Sequence, residues 1–432
     1  MYKFKRQPRT KQLEAFELSK DEKAFALLMR MRCVDKDTEY LSPSGWKKIS
    51  EYKGGKVAQY NLDGTAEFVE PLDYYVSDCE YFYHFYHKNG MDQMLSPGHR
   101  ILATHRTGRN ECRPATHWKK NIDSTAKKSH ECDKWVETTP EKFLKNSIEG
   151  IRIPTTFKMN GQSGLNLSEF ELRLMVAFHA DGSYGCKDIS TITSIRKGGI
   201  AVKKQRKIER LRWILENSSI EYKEEDCRNG FKCFSFIPPK VSKSYTEEWY
   251  NCSYEQLEII KDEIFHWDGS HLHENRGGQF FSSRKEDIDF IQYCLSATGT
   301  RCSAKWGYGA RPEEGVVTAT GFGRTGHMVT MFPKAEKVKS IDGKMYCFSV
   351  PSTYMVFRRN GAVFCSGNTG KSKVAIDTAC YNYTLGRVTS VVILAPNGVH
   401  AKWAREDLPK DVPDYIDYES ASWRSGNKKA IE

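Results

Sequence analysis

No run of about 18 apolar residues occurs in the 432-residue sequence, so no segment of it reads as a membrane-spanning helix. The basic start, Met1-Tyr-Lys-Phe-Lys-Arg6, is not followed by an apolar stretch, so a secretory leader is not expected. The 13 cysteines are odd in number and irregularly spaced. That argues against a disulfide framework and for free thiols in a reducing cytosol. Composition excludes disorder, since 39% hydrophobic and 12% aromatic residues are globular values. The length allows about two to four domains, each with its own core. The net charge is +11, yet residues 33–368 carry 48 Lys and Arg against 43 Asp and Glu. A role on nucleic acid must therefore rest on local clusters.

The sequence also lacks half of a phosphate-binding loop. Thr369-Gly370-Lys371-Ser372 has the ending of one, with a helix expected over Lys373–Tyr383 and a buried strand over Val388–Ala395. Upstream, Cys365 stands where the loop requires glycine, and Arg358-Arg359-Asn360-Gly361 reads as a hairpin turn rather than a feeding strand. A suitable strand, Ala24–Met29, stands near the N-terminus and stops at Arg32 with no Gly-Lys-Ser behind it. Joining Arg32 to Thr369 produces a strand, a loop and a helix in working order. The intervening 33–368 then reads as a segment that removes itself.

Inside that segment the texture is β, then mixed, then β. Hairpin turns are expected at Asp63-Gly64, Asn89-Gly90 and Asn360-Gly361, with a strand over Tyr81–His87. Helices are expected over Phe170–Phe178, Ile208–Leu215, Glu255–Phe265 and Lys285–Ser296, and a short one near Pro140–Lys145. The helix–strand succession of the middle is roughly duplicated, with Asp181-Gly182 and Asp268-Gly269 as matching landmarks 87 residues apart.

Self-excision needs a nucleophile at each junction, an Asn at the last position and an interior acid–base group. Cys33, Thr369, Asn368 and His99 supply them at the ends of the one segment whose removal repairs the loop. Cys33–Ile49, Ser96-Pro-Gly-His99, Met345–Val350 and Val363–Asn368 resemble the motif blocks of inteins of the Hint fold. The resemblance implies that Cys33 attacks the Arg32 carbonyl, Thr369 takes over the acyl chain, Asn368 cyclises and an O-to-N shift completes ligation. It also implies roles for Ser96 beside His99. Two positions depart from the family pattern. The penultimate His is Gly367, and the usual Asp of the Met345–Val350 block is Cys347. A Cys347 branch point is the alternative route. It belongs to a variant class with no N-terminal Cys and a Trp at the position of Ile101, so the Cys33 route is favoured.

Phe170–Gly182 resembles a LAGLIDADG helix of homing endonucleases, and Glu255–Gly269 a degenerate second copy carrying Glu263 and Trp267. The resemblance implies paired Asp181 and Asp268 holding Mg²⁺ for hydrolysis of double-stranded DNA by a monomeric enzyme. Lys203, Lys204, Arg206, Lys207 and Arg210 form a basic cluster suited to phosphates. A solvated helix face is the plainer explanation for such a run. Lys285 is the candidate basic residue near the carboxylates. Cys112, His117, His130 and Cys132 lack the short ligand pair of a zinc site, which disfavours zinc there.

The flanks resemble the start of a phage-like superfamily 2 helicase or translocase. Gln12 would meet adenine, and Gly370, Lys371 and Ser372 would meet the phosphates and Mg²⁺ of ATP. The expected fold is multidomain. It comprises an all-β Hint domain over 33–155 and 333–368, an α+β endonuclease over 156–332, and α/β P-loop fragments over 1–32 and 369–432. A decayed endonuclease, or a helicase/ATPase fragment with an inert DNA-binding insertion, are the alternatives.

Overall fold

The computed structural model describes residues 2–8, 10–22, 33–87, 90–105, 136–140, 151–184, 197–271, 277–308, 311–320, 327–330, 334–367, 371–391 and 408–419. Three bodies of structure can be followed through them.

The first is all β. It runs through β1 (Glu39–Ser42), β2 (Gly45–Lys48), β3 (Val57–Tyr60), β4 (Thr65–Val69), β5 (Asp73–Asp78), β6 (Tyr81–His87), β7 (Met91–Leu95), β8 (Ile101–His105), β9 (Val136–Thr138), β10 (Ile151–Pro154) and β11 (Lys158–Met159). Strands from near the other end of the segment interleave with these: β5 pairs with Lys344–Ser349, β6 with Lys334–Lys339, and both β1 and β3 with Tyr354–Arg359. One β unit has therefore been interrupted by what lies between. Its hairpins form where turn chemistry dictates. Asn360 and Gly361 take φ of 45° and 71°, the left-handed pair that matches the twist of the flanking strands. Gly64 has φ of 89°, and the Asp63 carboxylate accepts from the Thr65 amide at 2.9 Å. Val34, Phe85, Leu95, Phe348, Phe357 and Phe364 belong to its core.

The second body is duplicated. Its first half contains α2 (Glu169–Asp181), β12 (Gly182–Tyr184), β13 (Gly198–Val202), α3 (Gln205–Asn217), β14 (Tyr222–Cys227) and β15 (Phe231–Phe236). The second half repeats the order with α4 (Tyr254–Glu263), β16 (Gly269–His271), β17 (Gly277–Ser282), α5 (Lys285–Ala297), β18 (Cys302–Tyr308) and β19 (Arg311–Thr320). Each half orders its strands first, second, fourth, third: β12-β13-β15-β14 and β16-β17-β19-β18. Helices α2 and α4 both open on capping boxes, Ser168 with Glu171 and Ser253 with Gln256. Phe178 covers Gly182 and Gly198 where any Cβ would collide with its ring, and Phe265 covers Gly269 and Gly278 in the same way.

The chain then returns to the first body through β20 (His327–Thr330), β21 (Lys334–Lys339), β22 (Lys344–Ser349), β23 (Tyr354–Arg359) and β24 (Ala362–Gly367). Because β20 pairs with β10 and β11 with β4, strand pairing on the β side extends past the expected boundaries at both ends of the insertion.

The third body joins the flanks. Helix α1 (Thr10–Ser19), preceding the segment, packs on α6 (Lys371–Thr384), following it. Phe16 meets Tyr2 and Tyr381 with ring centroids 5.9 and 5.4 Å away, and Tyr2 Oη donates to Asp377 at 3.0 Å. Arg6 adds an ion pair to Asp411 of α7 (Leu408–Asp411) at 2.8 Å.

Two expectations need correction. Of the strand expected over Val388–Ala395, residues 388–391 form no strand and are exposed, and 392–395 lie outside the described residues. The residues from 385 to 391 form turns and bends, and among the described residues no strand pairs with them. The cysteines are also not all free thiols: Cys227 and Cys233 face each other across the β14–β15 hairpin and are bonded. Eight others among the described residues are buried. The strand Ala24–Met29, the zinc-like cluster, the Asn89 turn position and nearly all of the helix near Pro140–Lys145 lie outside the described residues.

Two candidate catalytic centres

Cys33 is buried in the first body. The bridges from Val34 to both Tyr346 and Leu95 fix it between β22 and β7. Its amide, the nitrogen of the Arg32–Cys33 peptide, donates to Ser96 Oγ at 2.9 Å, and the Ser96 amide donates back to the Cys33 carbonyl at 3.0 Å. The turn Ser96-Pro-Gly-His99 closes on a 2.9 Å bond from the His99 amide to the Ser96 carbonyl. This sets the imidazole over the junction, with Nδ1 3.2 Å from the Cys33 carbonyl oxygen. Nε2 lies 2.7 Å from Ser366 Oγ, on the strand that leads to the other junction. Cys33, Ser96, His99 and Ser366 are each at most 2% exposed. Cys33 and Ser366, 333 positions apart, thus meet at one histidine.

Cys347 is buried next to Tyr346, which bonds in both directions with Val34 at 2.9 Å. Asn368, Thr369, Gly370 and Arg32 lie outside the described residues; Lys371 and Ser372 open α6, and Gln12 falls in α1. Sequence reasoning assigned no role to Ser366, although it lies within the intein-like stretch Val363–Asn368. It also missed Arg359, which bonds Asp35, two residues after Cys33, at 3.1 Å and reaches Asp92. Only folding brings these partners, more than 260 positions apart, together.

The second centre lies where α2 and α4 end. Asp181 and Asp268 come close enough that the Asp268 carboxyl is pushed above its ordinary range, by burial first and then by the Asp181 charge. Lys207 of α3 pairs with Asp181. Lys207, Arg284 and Lys243 are the cations acting on Asp268, whereas Lys285 pairs with Asp289 on an exposed face at 2.5 Å. The basic groups at the carboxylates are therefore Lys207, Arg284 and Lys243, with Lys207 paired to Asp181, and Lys285 is not among them. Burial, then the Arg284 charge, push the Lys243 ammonium down. Beside Asp268 a small cavity is lined by His179, Tyr245, Trp267, Arg284 and Asp287.

Of the expected DNA-contacting residues, Lys203, Lys204 and Arg206 are exposed at the start of α3. That helix has no acidic residue in its first turn, so its positive end and its cations add to one field suited to phosphate. Arg210 is instead turned inward to Glu263, at 2.5 Å. Glu263 and Trp267 do not loosen the helix pair. The Glu263 carboxylate accepts from Arg173, Arg210 and the Trp267 indole, the last at 2.8 Å.

Two carboxylates with mutual repulsion fit a Mg²⁺ ion, which takes one or two protein carboxylates and completes its shell with water and phosphate. No group of three or more His, Cys, Asp and Glu suited to a metal occurs among the described residues.

No family model matches the chain. It is 24% identical over 354 residues to the ribonucleoside-diphosphate reductase subunit beta of Aquifex aeolicus (strain VF5). That match covers 78% of this chain and 50% of the relative, so the chain spans about half the length of the curated relative it matches. Its structural neighbours include homing endonucleases. I-DmoI in complex with DNA and Mn has a TM-score of 0.28 at 10% identity, over 36% of this chain and 91% of that one. I-WcaI bound to its DNA recognition sequence has a TM-score of 0.23 at 14% identity, over 36% and 77%. No helix among the described residues is long and apolar enough to cross a membrane.

Proposed function

We propose that residues 33–368 excise themselves and join Arg32 to Thr369, and that the duplicated insertion is a DNA endonuclease of the homing type. The hydrogen-bonded set Cys33–Ser96–His99–Ser366 carries the first half of this reading, because it unites both ends of the segment at one buried acid–base group.

The bonds balance without an outside reactant. Cys33 Sγ bonds the Arg32 carbonyl carbon, the Arg32–Cys33 peptide breaks, and the thiol proton ends on the Cys33 amine by way of His99. Ser96 holds that nitrogen while it is still an amide. Thr369 Oγ then displaces the thiol. The Asn368 side-chain nitrogen closes on its own carbonyl carbon and releases the Thr369 amine, which takes the acyl group from its own oxygen. The α1–α6 contact supports this order, since the flanks are already packed together. Ligation would complete a nucleotide-binding segment in which Gly370, Lys371, Ser372 and Gln12 serve Mg²⁺-ATP.

In the insertion, Asp181 and Asp268 would hold Mg²⁺, which when bound supplies charge stabilisation for phosphodiester hydrolysis. Lys203, Lys204 and Arg206 would hold the DNA backbone. The Lys207–Asp181 pair favours a second reading, in which the insertion binds DNA without cutting it.

Mass spectrometry of the chain expressed under reducing conditions tests the first half. Products of 336 and 96 residues are expected, with ligation absent in Cys33→Ala and Asn368→Ala; persistence of the 432-residue chain alone would sink it. Cleavage of DNA carrying the uninterrupted host site tests the second. Asp181→Asn should abolish cutting and leave binding intact, whereas binding without cutting in the wild type selects the second reading.

A further inference from the structure

The penultimate glycine is forced by its surroundings. A Cβ at Gly367 would lie 2.5 Å from Tyr354 Cδ1 and 2.7 Å from the Thr353 carbonyl oxygen. The Tyr354 ring cannot swing aside easily. The Arg100 guanidinium covers it at 4.3 Å and is itself tied to Thr353 Oγ1 at 2.7 Å. No side chain at position 367 can therefore assist Asn368, and the work of aligning the C-terminal junction falls to another group.

We propose that Ser366 is that group: a positioning residue that holds His99 in register with both junctions. This rests on the splicing reading above. The Ser366 hydroxyl has one proton, which it donates to the Arg100 carbonyl at 2.8 Å. Toward His99 it is then an acceptor, 2.7 Å from Nε2, so Nε2 carries a hydrogen and the ring cannot flip without losing that bond. The other ring edge, Nδ1, is thereby turned to the Cys33 carbonyl oxygen at 3.2 Å, which can only accept, so this edge donates as well. The ring thus faces Cys33 in the form that carries a proton to give as the Arg32 acyl group leaves the Cys33 nitrogen. The Gly367 amide donates to the same Arg100 carbonyl at 3.3 Å, so one backbone oxygen anchors both residues preceding Asn368. Ser366 is 2% exposed.

The test uses the full chain in reducing buffer, with dithiothreitol trapping the Cys33 thioester so that each junction is read separately. Ser366→Ala is expected to slow thiol-dependent cleavage at Cys33 and release at Asn368 together, each by about ten- to a hundredfold. That is below the ~10²–10⁴ carried by an acid–base group itself. Ser366→Thr, which keeps the hydroxyl, should restore most of both rates. Gly367→His should slow the Asn368 step rather than speed it, and it decides the matter alone should Ser366→Ala fail to fold. The proposal is overturned by Ser366→Ala at the wild-type rate, by no rescue in Ser366→Thr, or by Gly367→His exceeding wild type. A wild-type chain with neither ligation nor thiol-dependent cleavage overturns the splicing reading itself.

Discussion

Glu263 is fully buried, and its charge is met from both sides of the α2–α4 contact. Arg173 of α2 donates at 2.8 Å, Arg210 of α3 at 2.5 Å, and the Trp267 indole at 2.8 Å. A buried ion network that is fully satisfied adds little net stability, but breaking it strands the remaining charges. Glu263→Ala should therefore cost about 3–5 kcal/mol, seen as a lowered urea midpoint in a splicing-blocked Asn368→Ala chain, while Glu263→Gln should cost less. His179 makes a second residue-scale case. Burial, then the Arg284 charge, push its imidazole from 6.5 down to about 3. The unfolded chain takes up this proton below pH 6.5 while the folded one refuses it until about 3. Its contribution is thus intact above 6.5 and is lost as the pH falls through that window, by about 1.4 kcal/mol per pH unit. Denaturation of the same chain between pH 7 and 4 should show this slope, and His179→Gln should flatten it.

At the scale of elements, the β23–β24 hairpin is one of the places where the β unit meets the insertion. Arg358 of β23 is buried and reaches Glu39 of β1 at 2.6 Å, and Asp289 and Gln292 of α5 at 2.5 and 3.2 Å. At the turn, Gly361 accepts from Ala304 of β18 at 2.9 Å and from Gln292 at 2.7 Å. A Cβ there would strike the Ala304 carbonyl, and φ of 71° is itself unfavourable for other residues. Gly361→Ala should lower stability by about 1–3 kcal/mol. It should also loosen α5 from the β unit, read as faster amide exchange in α5 while α2 stays protected. The adjacent Arg359 holds Asp35 beside Cys33, so the same hairpin faces the insertion with one arginine and the junction with the next.

At the scale of the whole molecule, three bodies are threaded by one chain, and in two of them the pairing partners are remote in sequence. Among the described residues of the flank body, Phe16, Ile376, Cys380 and Val412 are the buried apolar ones. Phe16→Ala should cost about 3–5 kcal/mol there. In the Asn368→Ala chain this would expose α6 to rapid hydrogen exchange and leave the β unit unchanged. The opposite outcome, unchanged α6, would mean that the flanks are held by something other than the Phe16 contact.

Sequence alone determined what is set locally. Turn positions at Asp63-Gly64 and Asn360-Gly361, the capped helices, the duplicated Asp-Gly landmarks and the Ser96–His99 turn follow from φ preferences, capping and periodicity over a few residues. It also pointed to the two ends of the segment, because a broken phosphate loop is visible in one dimension. Tertiary structure alone decided who meets whom. Ser366 at His99, Arg359 at Asp35, Glu263 between two arginines and Lys207 rather than Lys285 at Asp181 all join side chains across 26 or more positions. Hydrogen bonding and desolvation choose such partners only after the strands have paired, and no local preference encodes them.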